Sequence, residues 1–179
     1  GFAPIHMEVD APDLVVEGEI PKELRGIFFR NGPNPQFSPR GDYHWFGGDG
    51  MIHGFYFAEG KVSYRNRYVK TIKWKKEKEE GRALFSAFNP MDSDETVMGM
   101  ETDGLANTNI VYHAGKLLAL EEAHAPFELD PLSLESIGSY DFGGKFSGPM
   151  TAHPKIDPEN GEMLFFGYNV GGLFSDEMA

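Results

Sequence analysis

Apolar and polar side chains alternate with a period of two most clearly between residues 55 and 68. Phe55-Tyr56-Phe57-Ala58 leads into Glu59-Gly60, after which Val62, Tyr64 and Tyr68 alternate with Ser63, Arg65 and Arg67. Strand side chains point to opposite faces in turn, and a two-residue loop containing glycine suits a tight reversal, so the stretch predicts a β-hairpin. A second hairpin is predicted from Asn109-Ile110-Val111-Tyr112, through His113-Ala114-Gly115-Lys116, to Leu117-Leu118-Ala119-Leu120. The unbroken apolar run of its return strand fits burial on both faces. Phe127-Glu128-Leu129, a turn at Asp130-Pro131 and a strand over 136–142 would complete a four-stranded unit before Gly143-Gly144. A third hairpin is expected to turn at Glu159-Asn160-Gly161-Glu162 into the strand 163–168.

The turn glycines Gly60, Gly115 and Gly161 recur at roughly 50-residue intervals, the length of a kelch-type blade. Glycine and proline are spread along the chain rather than pooled in a linker, which favours many short strands over long helices. The fold expected is all-β, about three four-stranded blades of a β-propeller, with a β-sandwich as the alternative. Three blades do not close a ring. Residues 1–179 are therefore expected to be the N-terminal portion of one propeller domain, incomplete at its C-terminus, whose uncovered faces need the remainder of the same polypeptide. The end, Phe174 to Ala179, shows no capping logic. The mixed-charge stretch Lys73-Trp74-Lys75-Lys76-Glu77-Lys78-Glu79-Glu80 is read as a solvated helical turn or loop.

Charge narrows the partners. With 28 acidic against 16 basic residues the chain carries −12, which repels nucleic acid and anionic lipid headgroups. It contains no cysteine, so disulfides, thiolate metal sites and a cysteine nucleophile are excluded. No apolar run reaches the ~18 residues of a membrane span, and Gly1 to His6 lacks the basic end and apolar core of a signal peptide. A soluble, cytoplasmic protein is expected, with peripheral membrane contact still open.

Six histidines are present: His6, His44, His53, His113, His124 and His153. None stands at the spacing of a helical metal pair. His6 and His113 read as exposed, His44 and His53 as structural residues flanking the bend Trp45 to Ile52, and His124 as open between the two roles. His153 precedes Pro154, which biases it toward extended backbone, so its ring would project from a strand end. A ligand and a buried, hydrogen-bonded histidine are both compatible with that. Neither a phosphate loop nor a G-x-S-x-G nucleophile elbow occurs.

A series of segments carries a further signal: Gly18-Glu19-Ile20-Pro21 with Leu24-Arg25-Gly26, Arg30-Asn31-Gly32-Pro33-Asn34-Pro35, His44 to His53, Gly81 to Phe85, Ala106-Asn107-Thr108-Asn109, Leu118 to Glu122, and Thr151 to Pro158. In order and approximate spacing they resemble the carotenoid cleavage oxygenase family, over essentially the whole chain and over the first third of a member. The resemblance implies a seven-bladed propeller with one Fe(2+) per complete domain, held by four neutral histidines. Of these only His153 lies in this segment. Glu122 matches a glutamate that hydrogen-bonds a ligand histidine; its partner would lie beyond Ala179, leaving His153 without one. Thr108 matches a small residue beside the metal's open position. Phe46 matches an aromatic of the substrate tunnel, and Phe88 and Glu121 stand where stilbene-cleaving relatives have tyrosine and lysine. Gly47 stands where relatives commonly have aspartate.

Loss of both polar anchors favours an apolar polyene, a carotenoid or apocarotenoid, cleaved with dioxygen at a conjugated double bond into two carbonyl products. The alternatives are a stilbenoid-cleaving dioxygenase or isomerase of the same family and a non-enzymatic propeller used as a binding module.

Overall fold

Two four-stranded antiparallel sheets and a two-stranded one follow each other along the chain in the computed structural model, which describes residues 3–171 and 177–178. The first sheet contains β1 (Val9–Ala11), β2 (Gly26–Pro33), β3 (Gly50–Ala58) and β4 (Lys61–Tyr68), in the order β1-β4-β3-β2. The second contains β5 (Asn109–His113), β6 (Lys116–Leu120), β7 (Phe127–Leu129) and β8 (Ser136–Ser139), in chain order. The third pairs β9 (Lys155–Ile156) with β10 (Met163–Leu164). This is the all-β, blade-by-blade architecture of a partial propeller. The chain end at Phe174, Ser175, Asp176 and Ala179 lies outside the described residues.

The first two predicted hairpins form over the expected residues, and their loops explain why. Glu59 and Gly60 have φ of 52° and 75°, and Ala114 and Gly115 have 48° and 80°. Two left-handed residues in succession twist the chain as the flanking strands do, which is the geometry that favours a two-residue loop. β8 stops at Ser139, short of the expected Phe142, because Phe142, Gly143 and Gly144 all adopt positive φ and leave the sheet. The third hairpin reduces to β9 and β10.

β6 shows how neighbouring blades share one strand's two faces. Leu117 and Ala119 enter a core with Ile52, Val69, Phe127, Leu129 and Leu134, whereas Leu118 and Leu120 enter a second core with Met150 and Ala152. Each fully buried leucine contributes about 1.5–3 kcal/mol. The continuous apolar run is thus the signature of a strand sandwiched between two layers. Between the first two blades Gly50 N donates to Leu105 O at 2.9 Å, and a Cβ at residue 50 would overlap the Ala106 carbonyl. Only glycine lets the chains approach this closely.

The mixed-charge stretch corrects one expectation. It forms a true helix, α1 (Ile72–Glu80), capped by Thr71 Oγ1, which accepts from Trp74 N, and closed by Gly81 at φ 70°. Its outer face is solvated, but Lys73 and Glu77 are buried together with Asp49. An i, i+4 pair of opposite charge can be covered when each charge finds its partner. No helix among the described residues is long and apolar enough to cross a membrane.

Candidate functional site

Asparagine amides stitch β2, the turn before β3, the start of β5 and the segment leading into β9 together. Asn31 Nδ2, on β2, donates to Ala106 O and Asn109 O, both at 2.8 Å. Asn107 Nδ2 donates to Phe46 O and Gly48 O, both at 2.6 Å. Asn109 Nδ2 crosses to the third blade and donates to Ala152 O at 2.7 Å. Side-chain amides here satisfy backbone carbonyls that need a partner away from the strand ladders.

His153 stands on that seam. Thr151 and Ala152 before it are buried, and Thr151 N donates to Phe166 O at 2.7 Å, whereas the imidazole itself is 64% exposed. Its Nε2 lies 3.4 Å from Glu122 Oε1, just past the end of β6, and Glu122 Oε2 accepts from Tyr168 Oη at 3.1 Å. Partial burial and then the Glu122 carboxylate push the Tyr168 phenol up, so it stays a donor. The resemblance leaves His153 without a carboxylate neighbour; here Glu122 faces it. Thr108 is exposed nearby, its N bonded to Leu120 O at 2.9 Å and its hydroxyl donating to Asn107 Oδ1 at 3.0 Å. Glu122 and His153 thus meet directly, and Thr108 is tied to Leu120, two residues before Glu122, while its neighbour Asn109 reaches Ala152, next to His153.

Phe46 and Phe88 form a second group. Both pack edge-on against His44, with ring centroids 4.9 and 5.8 Å away, and both are more than half exposed. His44 has the structural role expected, since its Nδ1 accepts from Phe46 N at 3.3 Å and caps the short turn Trp45–Gly47. The departure at Gly47 has a local reason: a Cβ there would sit 3.0 Å from Ala87 Cβ and 3.2 Å from Phe88 Cε2. Glycine makes room for the Phe88 loop. Phe46, with Pro35, Tyr43 and Trp45, lines a groove of about 650 Å³.

The sequence pattern that defines the retinal pigment epithelial membrane protein family matches residues 2–178. The chain belongs to this family, the carotenoid oxygenases. It is 46% identical over 177 residues, 97% of its own length, to lignostilbene-alpha,beta-dioxygenase isozyme III of Sphingomonas paucimobilis, and covers 36% of that protein. Among solved structures it is similar to the lignostilbene dioxygenase of Pseudomonas brassicacearum, with a TM-score of 0.88, 39% identity, and coverage of 94% of this chain and 35% of the other. A Synechocystis apocarotenoid oxygenase superposes with a TM-score of 0.79 at 32% identity, covering 92% and 37% respectively. The chain thus spans about a third of the length of the oxygenases it matches.

Glu121 is placed differently from Phe46 and Phe88. It is 9% exposed, accepts from Leu105 N at 2.9 Å and pairs with His124 Nδ1, so its carboxylate is engaged by the loop at Gly104. Burial pulls the His124 pKa down, but the Glu121 hydrogen bond and the charges of Glu121 and Asp103 outweigh it, leaving the value raised. A raised folded-state value means that the pair stabilises fully below the unfolded pKa of about 6.5 and ceases to do so as pH climbs through the folded value. The stability gap between wild type and His124→Gln, measured by chemical unfolding at stepped pH, is expected to narrow upward from about pH 6. A gap that stays flat to about pH 9 would show that the pair is not a protonated one.

Sequence reasoning named Thr108, Glu122 and His153 but not the residues that join them: Asn31, Asn107, Asn109 and Tyr168. The asparagines do lie inside the segments that carry the family resemblance, and that is the one signal that could have marked them. His53 meets Tyr64 Oη at 2.7 Å on the adjacent strand, and His113, expected to be exposed, is partly buried with its Nε2 2.8 Å from Gly161 O in the third hairpin. Among the described residues no three side chains converge as a metal site requires. His153 nevertheless offers one imidazole whose ring makes no hydrogen bond to a described residue, backed by a carboxylate. That donor chemistry fits one arm of an imidazole-bound ferrous centre.

Proposed function

We propose that this carotenoid oxygenase segment is the N-terminal part of a longer polypeptide, a single propeller domain with one ferrous ion, that oxidatively splits a conjugated double bond. The alkene and dioxygen give two carbonyl products, one oxygen atom ending in each. The observation that carries this reading is the meeting of Glu122 and His153, on a seam that Asn109 ties to Ala152, in a chain matched to the family from residue 2 to 178.

His153 would hold the ion, together with imidazoles outside the described residues. When bound, ferrous ion supplies the redox centre for dioxygen chemistry. Glu122, itself held by the Tyr168 hydroxyl, orients an imidazole N–H and raises that ring's basicity. The methyl group of Thr108 narrows the space at the seam. Phe46 and Phe88 give the substrate path an apolar wall that excludes water from a polyene.

Phe88 and Glu121 present neither a phenol partner nor a cation, which supports an apolar carotenoid or apocarotenoid. So insoluble a substrate would be collected at a membrane surface. A stilbenoid substrate is the second reading, favoured by the 46% identity to a lignostilbene dioxygenase. Iron-loaded complete polypeptide, incubated separately with an apocarotenoid and a hydroxystilbene, is expected to yield paired carbonyl products from the apocarotenoid. Cleavage of the hydroxystilbene alone would replace the polyene by a stilbenoid. No oxygen uptake with either would favour a binding module.

A further inference from the structure

The peptide unit joining Ala152 to His153 is gripped at both of its polar ends. Its carbonyl accepts from Asn109 Nδ2 at 2.7 Å, and its N–H donates to Thr151 Oγ1 at 3.2 Å. Asn109 is itself fixed: its Oδ1 accepts from Ile110 N at 2.8 Å, and its own carbonyl accepts from Asn31 Nδ2 at 2.8 Å. The amide orientation is unambiguous, because a flipped side chain would face an N–H with its NH₂ and a carbonyl with its oxygen. On the other side of His153 the next residue is Pro154, which has no N–H to be held. The imidazole is mostly exposed, and at its tip Nε2 lies 3.4 Å from Glu122 Oε1. This one peptide plane therefore sets where the side chain of His153 leaves the backbone, while Glu122 faces the far end of the ring.

We infer that Asn109 and Thr151 are positioning residues for His153: they lock the Ala152–His153 peptide so that the imidazole is aimed before any metal arrives. The clamp reaches across two blades, since Asn109 opens β5 while Ala152 belongs to the segment leading into β9. It makes the aim of the ring depend on how the second blade meets the third. Neither side chain would touch metal or substrate. This rests on the ligand role given to His153 above.

The test uses the complete polypeptide and its ferrous form. Asn109→Ala and Thr151→Val are expected to weaken ferrous-ion affinity, measured by competition with a chelator, by about 10–100-fold, the usual effect of removing an orienting partner outside the coordination sphere. The cobalt-substituted proteins should show shifted visible absorption bands, because the angle of one imidazole has changed. Asn109→Ser, which keeps a donor on a shorter arm, should recover part of the affinity.

A purely structural role would lower the thermal midpoint of the metal-free protein while leaving affinity within about twofold of wild type and the cobalt spectrum unchanged, and that result overturns the inference. His153→Ala separates the two levels. If it loses the ion while Asn109→Ala and Thr151→Val keep it, only the clamp is wrong. If it keeps the ion as well as wild type, the ligand reading fails and the clamp fails with it. Should Asn109→Ala not fold, Thr151→Val with the same readouts decides alone, because its hydroxyl is removed from a residue of unchanged shape.

Discussion

In the complete polypeptide, His153→Ala is expected to reduce ferrous-ion affinity and turnover by more than the ~10–100-fold that loss of an outer hydrogen-bonding partner costs a metal site. The reason is the difference between aiming a ligand and deleting one. Glu122 and Tyr168 act on a ring that would still be present after either was truncated; without His153 the ligand itself is gone. The fold should survive, because the side chain is 64% exposed and surface substitutions ordinarily shift stability by no more than about 0.5 kcal/mol. Metal content after a chelator challenge, read beside oxygen uptake and the unfolding midpoint, checks this. Retention of iron and turnover within about twofold of wild type would remove His153 from the metal site. Glu122→Gln provides the contrast, with losses inside the ~10–100-fold range.

That prediction was accessible from residues 151–158 because proline and a preceding histidine constrain the backbone locally. Hairpins were legible for the same kind of reason: Glu59-Gly60 and Ala114-Gly115 need left-handed backbone, and the strands beside them alternate or run apolar. β2 is not legible as a strand, since Gly26, Gly32 and Pro33 at its ends mask the alternation of Ile27, Phe29 and Asn31 against Phe28 and Arg30. β1, with three residues, is too short for any period to show. The asparagine stitches were illegible for a physical reason. Asn31, Asn107 and Asn109 bond carbonyls 75, 59 and 43 residues away, and asparagine near glycine or proline signals a local turn just as well.

The aromatic pair at His44 shows a different limit. Phe46 and Phe88 lie on separate loops, and their meeting depends on how each loop is tethered to α1. Glu77 Oε1 accepts from Leu84 N at 2.9 Å and Phe85 N at 3.0 Å, just before Phe88, and Asp49 Oδ2 accepts from Gln36 N at 3.0 Å, beside the Phe46 turn. Nothing in a run of lysines and glutamates announces that one buried lysine will bridge a carboxylate of its own helix to one from a distant loop.

That lysine is where the largest stability effect is expected. Lys73 Nζ lies 2.8 Å from Asp49 Oδ1 and 2.7 Å from Glu77 Oε2, with all three residues less than a tenth exposed. Burial pulls the Lys73 pKa down, but the two carboxylates more than restore it, so the ammonium stays charged throughout the neutral range. Lys73→Met leaves two buried carboxylates without their shared cation, and breaking a buried ion pair from one side costs about 3–5 kcal/mol. The exposed pair Arg25–Glu59 offers the comparison, since water solvates either member when the other is removed. Chemical unfolding of the complete polypeptide should show the large loss for Lys73→Met, and a loss of less than about 1 kcal/mol would mean that the triad is hydrated and behaves as a surface pair. Because Asp49 and Glu77 each hold a loop, the same variant should also raise KM more than it lowers kcat, as the Phe46 and Phe88 walls drift from His44 while the seam at His153 stays in place. Equal loss in both constants would place the triad's influence at the seam instead.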